Sequence, residues 1–184
     1  MAENGYYGAH EKLVERYDRA GDALYTFIAC GLALAVSGLA AYLTKQPLLF
    51  PSLGPTALLF LEQPMSAGSS PRNTLIGHLV AVLAGAFCLV AFGLLDDPSI
   101  LVEGVTLLRI GAAALSLALT GAALLLLQAS HPPAGATVLI VSLGFLTKPI
   151  EMAMIMVGVV ILTGAGWVIN RAFGVPVPLW ASPS

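Results

Sequence analysis

The residues able to do chemistry gather around one heptapeptide, His131-Pro132-Pro133-Ala134-Gly135-Ala136-Thr137. It lies inside residues 110–147, an interval without Asp, Glu, Lys or Arg. That interval is too long for one membrane span and suits two, so the heptapeptide falls where one helix breaks and another begins. Proline is tolerated in a first helical turn because the amide hydrogens there have no intrahelical partner. Such a start carries free N–H groups and about half a positive charge, and it attracts anions. His131 adds a ring whose ordinary pKa of about 6.5 lets it donate a hydrogen bond, carry a proton or turn cationic beside an anion. The alternative for His131 is an N-cap that only holds the helix start.

A weaker copy of this motif occurs earlier. A shift of 81 positions lays Pro51 on Pro132, Gly54 on Gly135, Thr56 on Thr137 and Leu58 on Leu139, then Gly77 on Gly158 and Gly85 on Gly166. Many such identities arise by chance in a chain rich in Leu, Ala and Gly. The repeated order of long helix, Pro-started short helix and long helix is the stronger sign. Phe50 stands where the second half has His131, so any two-fold site is expected to be asymmetric.

The expected substrate-binding set is therefore His131, Pro132, Pro133, Gly135 and Thr137 with Ser52, Gly54 and Thr56. It offers backbone N–H groups from two converging helix starts, glycines that admit a solute to the backbone, and hydroxyl donors. Ser52 is either cap or ligand. His78, one or two turns into the next span, joins the set if it faces the same cavity; helix packing is its alternative. Arg72 and Asn73, at a helix start, suit an anion entrance, although positive-inside anchoring explains Arg72 as well. No carboxylate lies in either motif, which disfavours a cation site and leaves a small anion or a neutral solute. HExxH, GxSxG, P-loop and paired-carboxylate patterns are lacking, so no catalytic site is expected. A metal site would need ligands beyond His131 and His78, and no cofactor is implied.

Membrane helices must position these residues. The chain has 184 residues, 58% hydrophobic and only 10% charged, where soluble domains carry about a quarter charged. Mean hydropathy is +0.89. The net charge of −2 and the lack of a basic run exclude nucleic acid as a partner. Cys30 and Cys88 sit singly in apolar runs and read as inert buried thiols. In residues 1–22, Leu13, Val14 and Tyr17 recur at helical spacing against Glu11, Lys12, Glu15 and Arg16. That segment is an amphipathic helix, lying on the membrane surface or packed as a flap against loops. Long spans are predicted at 23–43, 74–95, 105–128 and 151–170, within one transmembrane domain over 23–171. A Pro-rich tail, 172–184, follows.

The short segments decide the topology. Residues 132–146 reach only about 22 Å as a helix, against a hydrocarbon core of about 30 Å. They re-enter on one side, or they cross together with unwound backbone. Crossing puts Lys12, Arg16, Arg19, Arg72 and Arg171 on one side and Lys45, Lys148 and, at a helix start, Arg109 on the other, a balance that favours crossing under the positive-inside rule. The predicted fold is then an all-α membrane protein of two related halves, a 3+3 inverted repeat. Four spans with two re-entrant helices is the alternative. Gly-rich faces on the second and fourth long spans serve internal packing or a homo-oligomer.

The heptapeptide, together with Ser52-Leu53-Gly54-Pro55-Thr56-Ala57 and Pro71-Arg72-Asn73 followed by Ile76-Gly77-His78, resembles the HPP family of integral membrane proteins. The likeness covers about residues 25–171, and the heptapeptide is its specific part. The family is described as four-spanning, which fits the four long helices and leaves the short segments uncounted. Its plastid members are described as nitrite transporters, while many bacterial members have no assigned substrate. The resemblance implies transport of a small inorganic anion, nitrite first, across a bacterial inner (plasma) membrane with the N-terminus cytoplasmic. Lipid and the anion would be the partners. Channel and proton-coupled carrier both remain open. The competing class is a non-transporting scaffold or sensor module, which expects dense packing at the two helix starts and no polar cavity between them.

Overall fold

The computed structural model describes residues 8–181. Its elements are α1 (Ala9–Tyr17), α2 (Arg19–Thr44), α3 (Leu53–Glu62), α4 (Pro71–Ala91), α5 (Ile100–Glu103), α6 (Leu107–Leu126), α7 (Ala134–Ser142) and α8 (Pro149–Ala172), with a 3-10 turn at Ala67–Ser69. Four of these, α2, α4, α6 and α8, are long and apolar enough to cross a membrane, at 26, 21, 20 and 24 residues. The 10 residues of α3 and 9 of α7 reach only about 15 Å. The order long, short, long therefore occurs twice.

Several boundaries differ from expectation for local reasons. The span predicted to reach residue 95 stops at Ala91, because Gly93 turns left-handed at φ +68°. Gly93 N–H then donates to Val90 O, and Leu94 N–H to Leu89 O, which closes the helix. Gly174, at φ +79°, ends α8 by the same pair of bonds. The second short helix shrinks from 132–146 to Ala134–Ser142, with a turn at Pro132 and Pro133 before it. Residues 1–7 of the amphipathic segment and 182–184 of the tail lie outside the described residues. The rest of that segment forms α1, which folds back on the start of α2 and the end of α8. There His10 N–H donates to Phe173 O, and His10 Nε2 lies 2.7 Å from Asp22 Oδ1.

The ends of the long helices fall into two groups. Arg72 N–H, at the start of α4, donates to Trp180 O beyond the end of α8. The Arg72 side chain bonds Leu127 O and Gln128 O at the end of α6. The Tyr25 hydroxyl, near the start of α2, donates to Asn170 Oδ1 near the end of α8. The starts of α2 and α4 and the ends of α6 and α8 thus share a side. Between α2 and α4 the chain must return, and residues 45–62 do so alongside α8. Leu48 and Phe50 lie against Gly158, Phe60 lies against Gly166, and Phe60 O accepts from Asn170 Nδ2. Residues 128–144 run likewise along α4, with His131 against Gly77 and Val141 against Gly85.

Arg109 ties the opposite side together. It is 1% exposed, and its side chain bonds carbonyls: Nη2 donates to Asp97 O and Pro98 O at 2.9 Å each, and Nη1 to Ser142 O at 3.3 Å. Ser142 ends α7, so the cation meets the negative end of that helix dipole, and the loop after α4 supplies the other carbonyls.

The close approaches along α8 and α4 depend on the absence of a side chain. A Cβ on Gly158 would come within 2.7 Å of Leu48 O, a backbone atom that cannot step aside, whereas one on Gly164 meets nothing within 4 Å. Gly158→Ala is expected to lose about 1–3 kcal/mol through overpacking. Gly164→Ala should hold or gain stability through helix propensity, by up to about 1 kcal/mol. Thermal unfolding of the two variants in detergent tests this, and equal melting temperatures would refute it.

Candidate functional site

The first turns of the two short helices reach one residue of α4. Thr56, in the first turn of α3, and Thr137, in the first turn of α7, both bond the ring of His78 on α4. Thr56 Oγ1 lies 3.0 Å from His78 Nε2, and Thr137 Oγ1 lies 2.7 Å from His78 Nδ1. His131 approaches from the turn before α7, its Nε2 3.1 Å from His78 Nε2 and its Nδ1 2.7 Å from Gly68 O. Thr74, one helical turn before His78, sits 3.4 Å from the same Nδ1. All five side chains are 0–2% exposed, so the cluster is a polar knot inside an apolar domain.

The hydrogens of this knot are fixed by its neighbours. Gly68 O can only accept, so His131 carries hydrogen on Nδ1 and, when neutral, leaves Nε2 bare. Thr56 spends its hydroxyl hydrogen on Ser52 O at 2.9 Å, so its oxygen accepts from His78 Nε2–H. The same N–H points at the bare Nε2 of His131. His78 Nδ1 is then an acceptor, and Thr137 donates to it. Every polar atom of the two rings is satisfied with both neutral.

The expected set is brought together in part. Thr56, Thr137, His78 and His131 form the knot. Ser52 is fully buried at the start of α3; its carbonyl holds Thr56, while its own hydroxyl oxygen lacks a partner. Pro132 and Pro133, with Pro55, line a cavity of about 370 Å³ beside the knot. Gly135 and His131 line another of about 300 Å³ between α6 and α7, so the His131-Pro132 strand separates the knot from two cavities. A Cβ on Gly54 would meet nothing within 4 Å, leaving that backbone open to approach. Asn73 and Arg72 stand apart. Asn73 Nδ2 reaches Ser130 O at 3.5 Å, and the Arg72 guanidinium holds Leu127 O, Gln128 O and Asn73 Oδ1. Arg72 caps the C-terminus of α6.

One expectation is corrected. The amides of Leu53, Gly54, Ala134, Gly135 and Ala136 are not free; they donate to Phe50, Pro51, His131, Pro132 and Pro133 carbonyls three residues back. A tight turn precedes each helix proper and uses those donors itself. The polar contacts come from hydroxyls and imidazoles instead. Two partners escaped sequence reading. Thr74 was legible as the residue four before His78 on the same helical face, but the Gly68 carbonyl carried no signal. The centre is polar, as a transporter expects, and filled, as a scaffold expects. Among the described residues, no group of three or more His, Cys, Asp or Glu is placed to hold a metal ion.

Four apolar long helices around a buried polar knot define an integral membrane protein. The chain belongs to the HPP family, whose model for the HPP transmembrane region matches residues 16–178. No curated protein and no solved structure matches the chain.

Thr137→Val keeps the shape of the side chain and removes the donor to His78 Nδ1, leaving a buried acceptor unpaired. A loss of about 1–2 kcal/mol is expected in denaturant unfolding in detergent. Ser37→Ala, which removes only a long 3.4 Å bond within α2, is the comparison and should cost less than half as much. Equal costs would mean that the His78 bonds carry no special weight.

Proposed function

We propose that this protein moves a small inorganic anion, nitrite first, across the membrane, through two halves related as a 3+3 inverted repeat. The observation that carries the reading is the meeting of Thr56 and Thr137, equivalent residues of two short helices, on one imidazole. The repeat is supported by contacts that obey the same 81-position shift. His131 on Gly77 answers to Phe50 on Gly158, Val141 on Gly85 to Phe60 on Gly166, and left-handed Gly93 to left-handed Gly174. Exchange of α2 with α6, α3 with α7 and α4 with α8 also conserves which helices pack together. The grouping of helix ends described above supports six passes, the short helices crossing with their extended leaders. Lys12, Arg16, Arg19, Arg72 and Arg171 lie on the side of the α2 start, which supports a cytoplasmic N-terminus.

Binding needs the short helices to part, so that the anion takes the place between Thr56 and Thr137 that His78 now spans. Released from His78, the Thr137 hydroxyl joins the Ser52 hydroxyl and an imidazole N–H as donors, Thr56 keeps its hydrogen on Ser52 O, and two helix starts supply a positive field. Nitrite is a bent monoanion with acceptors at both ends, which suits a short row of donors. No reacting nucleophile or acid pair accompanies the knot, and transport rather than catalysis is the reading.

Reconstituted vesicles offered nitrite, nitrate, formate and chloride separately test the proposal. Protein-free vesicles set the background, because the acid form of nitrite crosses lipid unaided. Nitrite uptake above that background should lead the series. The Thr56→Val, Thr137→Val double variant should lose at least about tenfold, the worth of one hydrogen bond of about 1.4 kcal/mol. Flux no greater than that of protein-free vesicles for all four anions would end the transport reading.

A further inference from the structure

We propose that His78 and His131 together form a proton-binding site that takes up one proton with each anion, so that the protein is a proton–anion symporter. This deepens the anion reading and rests on it for the identity of the co-substrate. The geometry that points to it is the facing pair of Nε2 atoms, 3.1 Å apart, with the rings edge-to-face at 62°. Two imidazoles so placed can share a proton only if one presents N–H and the other a bare nitrogen. Gly68 O fixes that arrangement by holding the hydrogen of His131 on Nδ1.

The proton balance is simple. The neutral pair holds two ring hydrogens, on His131 Nδ1 and His78 Nε2. Adding one from water gives three: on His131 Nδ1, on His78 Nδ1, and one between the two Nε2 atoms. His78 Nδ1 becomes a donor in this state, so the Thr137 hydroxyl turns from donor to acceptor at the same contact. The hydrogen it gave to the ring is released, and protonation thereby supplies a donor to a solute beside Thr137.

The surroundings explain why a proton would come only with an anion. The groups the two rings touch are Thr56 on α3, Gly68, Thr74 on α4 and Thr137 on α7, none of them charged. Arg72 lies one turn below on α4, bound to carbonyls and Asn73; Glu62 closes the far end of α3, and Arg109 the far end of α6. Glu151 and Arg171 stand at the two ends of α8, and α7 carries no charge. No carboxylate therefore neutralises an imidazolium here, and two helix starts add positive potential. A lone added proton is opposed, whereas a proton with an anion leaves the site neutral. By linkage, each raises the affinity of the other by the same factor.

The test is proton uptake on anion binding. Sodium nitrite added to weakly buffered, detergent-solubilised protein near pH 6.5 should raise the bath pH by an amount approaching one proton per protein. His131→Gln and His78→Gln should take up none. Thr137→Ser, which keeps the hydroxyl, should retain uptake and shows that loss is not mere misfolding. Ring-15N spectra of the histidine-labelled protein should show both rings changing together on acidification with nitrite, and His131→Gln should abolish the change at His78. Nitrite binding by calorimetry with no proton uptake and with unchanged histidine tautomers would overturn the proposal while leaving the anion reading intact. If nitrite neither binds nor crosses, the anion reading fails and the acid titration alone decides. Two rings titrating jointly would keep the shared-proton site, and independent titration would remove it.

Discussion

A neutral imidazole inside an apolar domain has two ring nitrogens with opposite needs, and His78 meets both with threonines from different helices. That requirement dictates much of the architecture. An unpaired polar group in such surroundings is costly, and no water-exposed face is near to relieve it. Thr56 and Thr137 must therefore arrive at one residue of α4 from two sides, each in the first turn of a helix. A first turn can reach the middle of the domain only if extended chain carries it inward, as residues 45–52 and 128–133 do. The short lengths of α3 and α7 follow from the same demand, because the leaders use up the rest of the available depth.

Backbone contact makes room for those leaders. An extended strand lying against a helix needs a groove, and glycine is the residue that makes one without bending the helix. Gly158 admits Leu48 and Phe50, and Gly77 admits His131. In lipid there is little hydrophobic force between helices, so close packing at small residues supplies the attraction. Arg109 completes the frame from the other side by binding Ser142 O at the end of α7 and the carbonyls of Asp97 and Pro98 in the loop after α4.

Much of this could be read from residue order alone. Apolar run lengths marked the four long helices, proline marked the two helix starts, and the 81-position shift paired Thr56 with Thr137 before any contact was known. Three kinds of information were not legible. The fate of the first-turn amides depends on whether the turn before the helix is tight, and proline permits either outcome. The end of α4 at Ala91 depends on Gly93 adopting a left-handed conformation, and glycine in an apolar run gives no sign of that. The partner of His131 Nδ1 is a main-chain carbonyl, Gly68 O, which no side-chain pattern encodes. The partners of Arg72 were hidden for a related reason: a cation at a helix start looks free in sequence, but the carbonyls that hold it belong to a helix end more than fifty residues away.

The two sequence halves share an order of elements and differ at their centre. The shift that relates Thr56 to Thr137 carries His78 to Val159 and His131 to Phe50, so the contact of α4 with residues 128–133 carries imidazoles where the corresponding contact of α8 with residues 45–52 carries hydrocarbon. On the apolar side Phe50 is held by dispersion against Gly158, a sum of many weak contacts that no single chemical event removes. On the polar side the His131 ring is held by a few directional bonds, to Gly68 O, His78 and Thr74, each of which depends on where one hydrogen sits. Polar centres at both contacts would need twice the satisfied network. The directional bonds instead gather where α7 and its leader meet α4, and dispersion packing holds Leu48 and Phe50 against α8.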